Sequence, residues 1–412
     1  GANTTDVNGA TAISATLDVN DASGAFQADG SFTAASGVIN FTGNGVLRLE
    51  NSPTSLGTLD NTNGKVSYKG GAINVLSDDY YNLLIKNSGK KTAQGAVNVA
   101  GDLTVGSSVN CEYDIAATTT TVTGTSDING TLTISTGTYN ADGATDIDGT
   151  LSITSTGVYD ADNTFTAASG NVTFTGAGFL KCSNTVSDLG TLTITAGTVL
   201  YDGASTQAIR TDEYYNLTID QSGTKQASGT LDISGDLTVS NGAVFDINGQ
   251  NAVVGGNWND AGGTFQATGG GVALSGGNAN ITTGGSNYFS ALTILATGTK
   301  TAQSSLDING NFTISSGTFD INGQNADVAG NWNDASGTFQ ATGGTVTLSG
   351  GNSDITTGGS NYFSALTINA TGTKTAQTSL DINGDFTLTA GTFAPGSNDV
   401  DVAGNWDDSG NN

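Results

Sequence analysis

The stretch TSDINGTLTISTGTYNADG (125–143) is followed at once by ATDIDGTLSITSTGVYDAD (144–162), a short tandem repeat in which Asp127, Ile128 and Gly130 recur as Asp146, Ile147 and Gly149. A unit so short cannot enclose a core of its own and must bury its apolar residues against its neighbours, as one coil of a parallel β-helix does. The stretch TTDVNGATAISATLDVNDA (4–22) follows the same pattern. The fold predicted is therefore all-β, a parallel β-helix (β-solenoid) of coils of about 18–20 residues.

Longer periods overlie the short one. The segment 245–318 aligns without a gap with 319–392 and is identical to it at most positions, and 393–412 begins a third copy. FTAASGVINFTG (32–43) recurs as FTAASGNVTFTG (165–176). The chain thus reads as one continuous solenoid, a single elongated rod: a long repeat over 1–133, a degenerate one over 134–244, copies at 245–318 and 319–392, and a partial copy at 393–412. The unit 245–318 is expected to make four coils, and about 22 coils at ~4.8 Å give a rod on the order of 100 Å.

Differences between copies assign the faces. Val253 becomes Asp327 and Leu295 becomes Asn369, so these positions face solvent. Phe245/Phe319, Ile247/Ile321, Val254/Val328, Phe265/Phe339 and Leu292/Leu366 stay apolar and face inward. Aligning 43–59 with 176–192 puts Cys182 at the place of Leu49, which predicts a core thiol. Two cysteines, Cys111 and Cys182, make no disulfide framework.

Charge and composition narrow the function. With a net charge of −26, nucleic acid and anionic membrane surfaces are not expected partners. No run reaches the ~18 apolar residues of a membrane span, so no membrane insertion is expected. The opening residues show neither a start methionine nor a leader pattern, which is read as a mature secreted chain. There is no histidine, hence no imidazole base or histidine metal ligand. No enzyme activity is expected; the clusters Arg210 with Asp212 and Glu213, and Arg48 with Glu50, read as solvated corner charges.

Oxygen-rich turns D-x-N-G at 127–130, 307–310 and 381–384 make Asp307, Asn309, Asp381 and Asn383 the calcium candidates. A calcium site needs about six to eight oxygens, so these residues read first as turn formers that satisfy local backbone donors, and no cofactor is required. Trp258, Trp332 and Trp406, four coils apart on this reading, and the pairs Tyr80/Tyr81, Tyr214/Tyr215, Tyr288/Phe289 and Tyr362/Phe363 are weighed as packing groups or as a carbohydrate platform. Asn-x-Ser/Thr sequons, among them Asn129, Asn171, Asn216 and Asn311, are candidate glycan attachment points.

The string GTFDINGQNADVAGNWNDASGTFQATGGTVTLSGG (317–351), with YFSALTINATGTKTAQTSLDINGDFTLTAGTF (362–393), resembles repeats of very large secreted surface proteins of environmental bacteria. The resemblance implies a β-solenoid located outside the cell or on its surface. Both ends read as coil pattern, so the N-terminal coil (Asp6, Val7, Ile13) and the C-terminal coil (Val402, Trp406) are expected to stack head to tail into a homopolymer. The function expected is the structural subunit of an extracellular filament; the alternatives are an adhesin or carbohydrate-binding stalk touching surface polysaccharide or glycans, and a polysaccharide-active β-helix enzyme.

Overall fold

The computed structural model describes residues 4–20 and 24–410. Every regular element among them is a β-strand, and the strands stack as parallel ladders into a β-solenoid of about 20 turns. Strand Thr150–Ile153 shows why the chain folds this way: Leu151 and Ile153 are buried while Thr150 and Ser152 point outward. The chain divides into two compact units, Gly1–Asp202 and Gly203–Asn412.

In the first unit one sheet of ten strands runs from Thr4–Val7 to Val186–Asp188, beside a seven-stranded sheet from Ile73–Val75 to Thr191–Ile194. The tandem repeat stacks as expected: Ser126 lies on Thr145 and Leu132 on Leu151, each on its own equivalent one period later. Buried tyrosines fill this unit's core. Tyr139 and Tyr159 stack with centroids 5.0 Å apart, and their hydroxyls are shared with Ser126 and Thr145, each at 2.7 Å. Cys182 is buried, as is Leu49.

The second unit has three ladders of inward residues. One runs Leu231, Ala252, Val272, Leu292, Phe312, Trp332, Ile355, Ala376. Another runs Leu217, Leu237, Trp258, Ile281, Ala302. A third passes through Phe245 and Phe265, resumes at Phe289 and Ile308, and carries Leu366, Phe386 and Trp406 on the same strands. Coil length is uneven: the step from Gln207 to Lys225 is short, and the step from Trp258 to Ile281 is long.

These ladders correct the expectation of four coils per long copy. Equivalent residues Trp258, Trp332 and Trp406 lie on three different ladders, so each copy closes one face short of four turns, at three and two-thirds. The longer N-terminal repeat behaves alike: Phe32 pairs with Thr11 in a small sheet, whereas its equivalent Phe165 sits in the ten-stranded sheet. The retained apolar residues are buried, and Asp327, Leu295 and Asn369 are exposed.

Candidate functional site

The tryptophans do not form a sugar platform. Trp258 and Trp332 are 0% and 1% exposed, on different faces, and both point inward. Trp332 is enclosed by Phe312 (centroids 4.7 Å), Phe339 (4.9 Å) and Phe363 (5.2 Å). Trp258 is enclosed by Phe265 at 4.8 Å and Phe289 at 5.2 Å. Trp406 rests on Phe386 at 4.3 Å and is 50% exposed.

Each enclosed indole serves a buried carboxylate two positions on. Trp258 Nε1 donates to Asp260 Oδ2 at 3.0 Å, and the Gly284 backbone N–H, one coil further, donates to Oδ1 at 2.8 Å. Trp332, Asp334 and Gly358 repeat this at 3.0 and 2.7 Å. Asn287 and Asn361 tie the same turns by donating to the carbonyls of Asp260 and Asp334. Burial outweighs these donors and holds both carboxyls above the ordinary aspartate value. A group whose pKa is raised by folding binds its proton more tightly in the folded state. Its stabilising contribution is complete below the unfolded value of 3.8 and fades as pH rises through the raised folded value. The thermal midpoint of the second unit should therefore rise as pH falls from 7 toward that window, and the Asp260→Asn/Asp334→Asn pair should flatten the rise. A midpoint that drops over this range with the same slope in both proteins refutes the assignment.

Four of the nine lysines, Lys91, Lys225, Lys300 and Lys374, are 0% exposed, a feature the sequence reading missed. Lys91 Nζ donates to the carbonyls of Asn87, Ser88 and Gly89 at 3.0, 3.0 and 3.1 Å. Lys225 donates likewise to Gly203, Gln221 and Ser222. Left-handed Asn87 and Gln221, with Gly89 at φ 100° and Gly223 at φ 102°, turn these carbonyls inward. In the copies at 245–318 and 319–392 the loop is replaced by continuous strand, and Lys300 instead reaches Gly255 O at 2.7 Å, more than two coils back along the chain. The available signal was a scarce residue recurring at one place: GKKTA, GTKQA, GTKTA, GTKTA.

Asp and Asn do more than local turn work. Asp246 and Asp320 do accept the N–H two positions on, at Asn248 and Asn322. At the corners, however, Asx side chains bridge coils: Asn216 accepts from Asp236 N, Asp236 from Asn257 N, and Asn257 from Asn280 N, at 2.7–2.8 Å. The glycine preceding such a residue is forced by the same stacking, since a Cβ on Gly330 would meet the Gly310 carbonyl carbon at 2.5 Å.

The remaining predicted residues fall as follows. Asp307 stacks on Asp327 and Asp381 on Asp401, while the Asn309 and Asn383 N–H groups donate to Phe289 and Phe363 carbonyls. Among the described residues no group of three or more His, Cys, Asp or Glu is placed to hold a metal ion. Asn216 and Asn311 are corner acceptors, Asn129 donates to Asp127, and Asn171 lies exposed on a strand; Asn3, which heads a further Asn-x-Thr sequon, lies outside the described residues. In the Arg210 cluster, Tyr214 Oη donates to the Arg210 carbonyl at 2.7 Å, as Tyr80 does to Leu76 at 2.9 Å, and Glu50 pairs with Lys69. Tyr80 and Tyr214 are the buried first members of their pairs, but Phe289 and Phe363 are the buried second members of theirs, so that alignment shifts by one position. Asp6, Val7 and Ile13 lie in the outermost described coil of the first unit, with Asp6 exposed and Val7 and Ile13 half-buried; Val402 and Trp406 lie in the last described coil of the second, Val402 half-buried and Trp406 exposed. Comparison with protein-family models, curated proteins and solved structures found no match, so the repeat geometry stands as the description of what this chain is: a β-solenoid repeat protein.

Proposed function

We propose that the protein is a structural subunit of an extracellular filament of a bacterium, built by stacking coil on coil between copies. The observation that carries this reading is that coil stacks on coil in register along the chain, Leu132 on Leu151 and Phe312 on Trp332, through strand edges and apolar side chains that every copy of the molecule carries. Strand edges of this kind pair with other edges. A contact between two different surfaces does not close on itself and propagates as a fibre. Location outside the cell is supported by the resemblance of the repeats to those of secreted surface proteins.

Negative-stain electron microscopy of the purified chain at increasing concentration tests this. Filaments are expected, growing in number and length with concentration. Monodisperse single particles at high concentration count against the filament.

A further inference from the structure

We infer that the outward groove beside Tyr81, in the Gly1–Asp202 unit, is a binding site for a neutral pyranose, the sugar unit of a polysaccharide. Three successive rungs build it. Asp79 stacks on Asn98 and Asn98 on Thr121, and these side chains point away from the core, while Tyr80, Val99 and Val122 next to them are buried. Ala100 and Thr123 follow on the same face, and Asn61 completes the lining. The groove has a volume of about 240 Å³. That is below the ~300–1,000 Å³ of sites for drug-sized ligands and suits a single sugar ring.

The chemistry of the lining selects the ligand. Asn98 Nδ2 donates to Asp79 Oδ1 at 2.7 Å, which orients both side chains and leaves the second Asp79 oxygen and the Asn98 amide oxygen without a hydrogen-bond partner among the described residues. A carboxylate and an amide one rung apart, ~4.8 Å, can accept from two hydroxyls of one sugar ring. Tyr81 supplies the apolar contact. It is 37% exposed, and its carbonyl takes the Gly101 N–H at 2.7 Å, which seats it beside Ala100. The small methyl of Ala100 leaves the ring uncovered, and the C–H face of a pyranose packs on such a ring. No lysine or arginine lines the groove and Asp79 repels anions, so phosphorylated and uronic sugars do not fit. Tyr215 is as exposed, at 36%, but the rungs beside it carry Glu213, Asp232 and Val253, so two methyls stand where Thr121 offers a hydroxyl. The inference goes beyond the filament reading, which assigns no ligand to this face.

The test uses the intact chain, kept dilute, with the methyl glycosides of glucose, galactose and mannose, N-acetylglucosamine and, as the anionic control, glucuronate. Saturation-transfer NMR is expected to show saturable binding of at least one neutral sugar and none of glucuronate. Tyr81→Ala should weaken that binding at least ~10-fold, which corresponds to about 1.4 kcal/mol. It removes an exposed ring, so the thermal midpoint should not move. Asn98→Ala and Thr121→Val, the second of which copies Val253, should weaken binding severalfold, and Tyr215→Ala should leave it unchanged. No saturable binding of any neutral sugar, binding indifferent to Tyr81→Ala, or glucuronate bound as tightly as the neutral sugars overturns the inference. The readout needs no assembly: its failure leaves the filament reading untouched, and a chain that forms no filaments leaves this site standing.

Discussion

Replacing Trp332 by alanine is expected to destabilise the Gly203–Asn412 unit by about 3–5 kcal/mol, the range for deleting a large ring from a packed core. The position justifies the upper part of that range. Three phenylalanine rings lose their common partner, and the indole N–H that serves the buried Asp334 carboxylate disappears. An unserved buried acceptor adds its own penalty of about 1–3 kcal/mol. For a unit of this size each kcal/mol moves the thermal midpoint by about 2–4 °C, so a drop of roughly 8–20 °C is expected in a circular dichroism melt. The same substitution at Trp406 should cost less than about 1 kcal/mol, because half of that ring already faces water. Equal losses at the two positions would show that the buried rung is not what holds the copy together.

Much of the architecture was legible because a solenoid writes its period into its sequence. The short tandem at 125–162 could only pack by stacking, and Leu132 does lie on Leu151. Substitutions between copies located the outward positions Asp327 and Asn369, since an interior would not accept them. The number of turns per long repeat was not legible. A corner is readable only where glycine, aspartate or asparagine breaks a strand. In Leu292–Ala302 and Phe312–Asp320 one strand bends across two faces without a break at its internal glycine. The spacing between copies then fits four short coils as well as fewer, longer ones.

The fractional turn also explains what varies between copies. Each copy presents the same residues to a different face, so its neighbours differ: Leu237 lies under Trp258, whereas Phe312 lies under Trp332. Inward residues must therefore tolerate more than one partner, which favours the broad rings of Phe and Trp over a single fitted aliphatic pair. The buried Trp–Asp unit was hidden for another reason: Asp260 and Asp334 look like turn residues until the Gly284 and Gly358 N–H groups of the next coil are seen to reach them. The corner bridges share this cause, since their donors lie a whole coil away and no local pattern marks them.

The buried lysines lead to the second large effect. Lys91→Met should cost the Gly1–Asp202 unit about 3–5 kcal/mol, since each buried carbonyl left unserved costs about 1–3 kcal/mol, whereas Lys90→Met, at the preceding position, should cost less than about 1 kcal/mol. Strand alternation separates the two. Lys90 projects outward and pairs with Asp114 at 2.5 Å in partial contact with water, where an ion pair contributes little. Lys91 projects inward and its three ammonium protons match three carbonyls of the loop 87–89. Methionine fills a similar volume and offers no donor, leaving three inward carbonyls without their shared partner. Burial pulls the Lys91 ammonium below its ordinary value of 10.5, so the charge is held against a desolvation cost and the loop carbonyls are what offset it. Arginine would keep the charge but overfill the loop, so Lys91→Met is the cleaner probe. Urea unfolding followed by tyrosine fluorescence reports this unit through its buried phenols, including Tyr113, beside Lys91 in register. If the two methionine variants unfold at the same urea concentration, the carbonyl crown contributes nothing to stability and Lys91 is merely tolerated in the core.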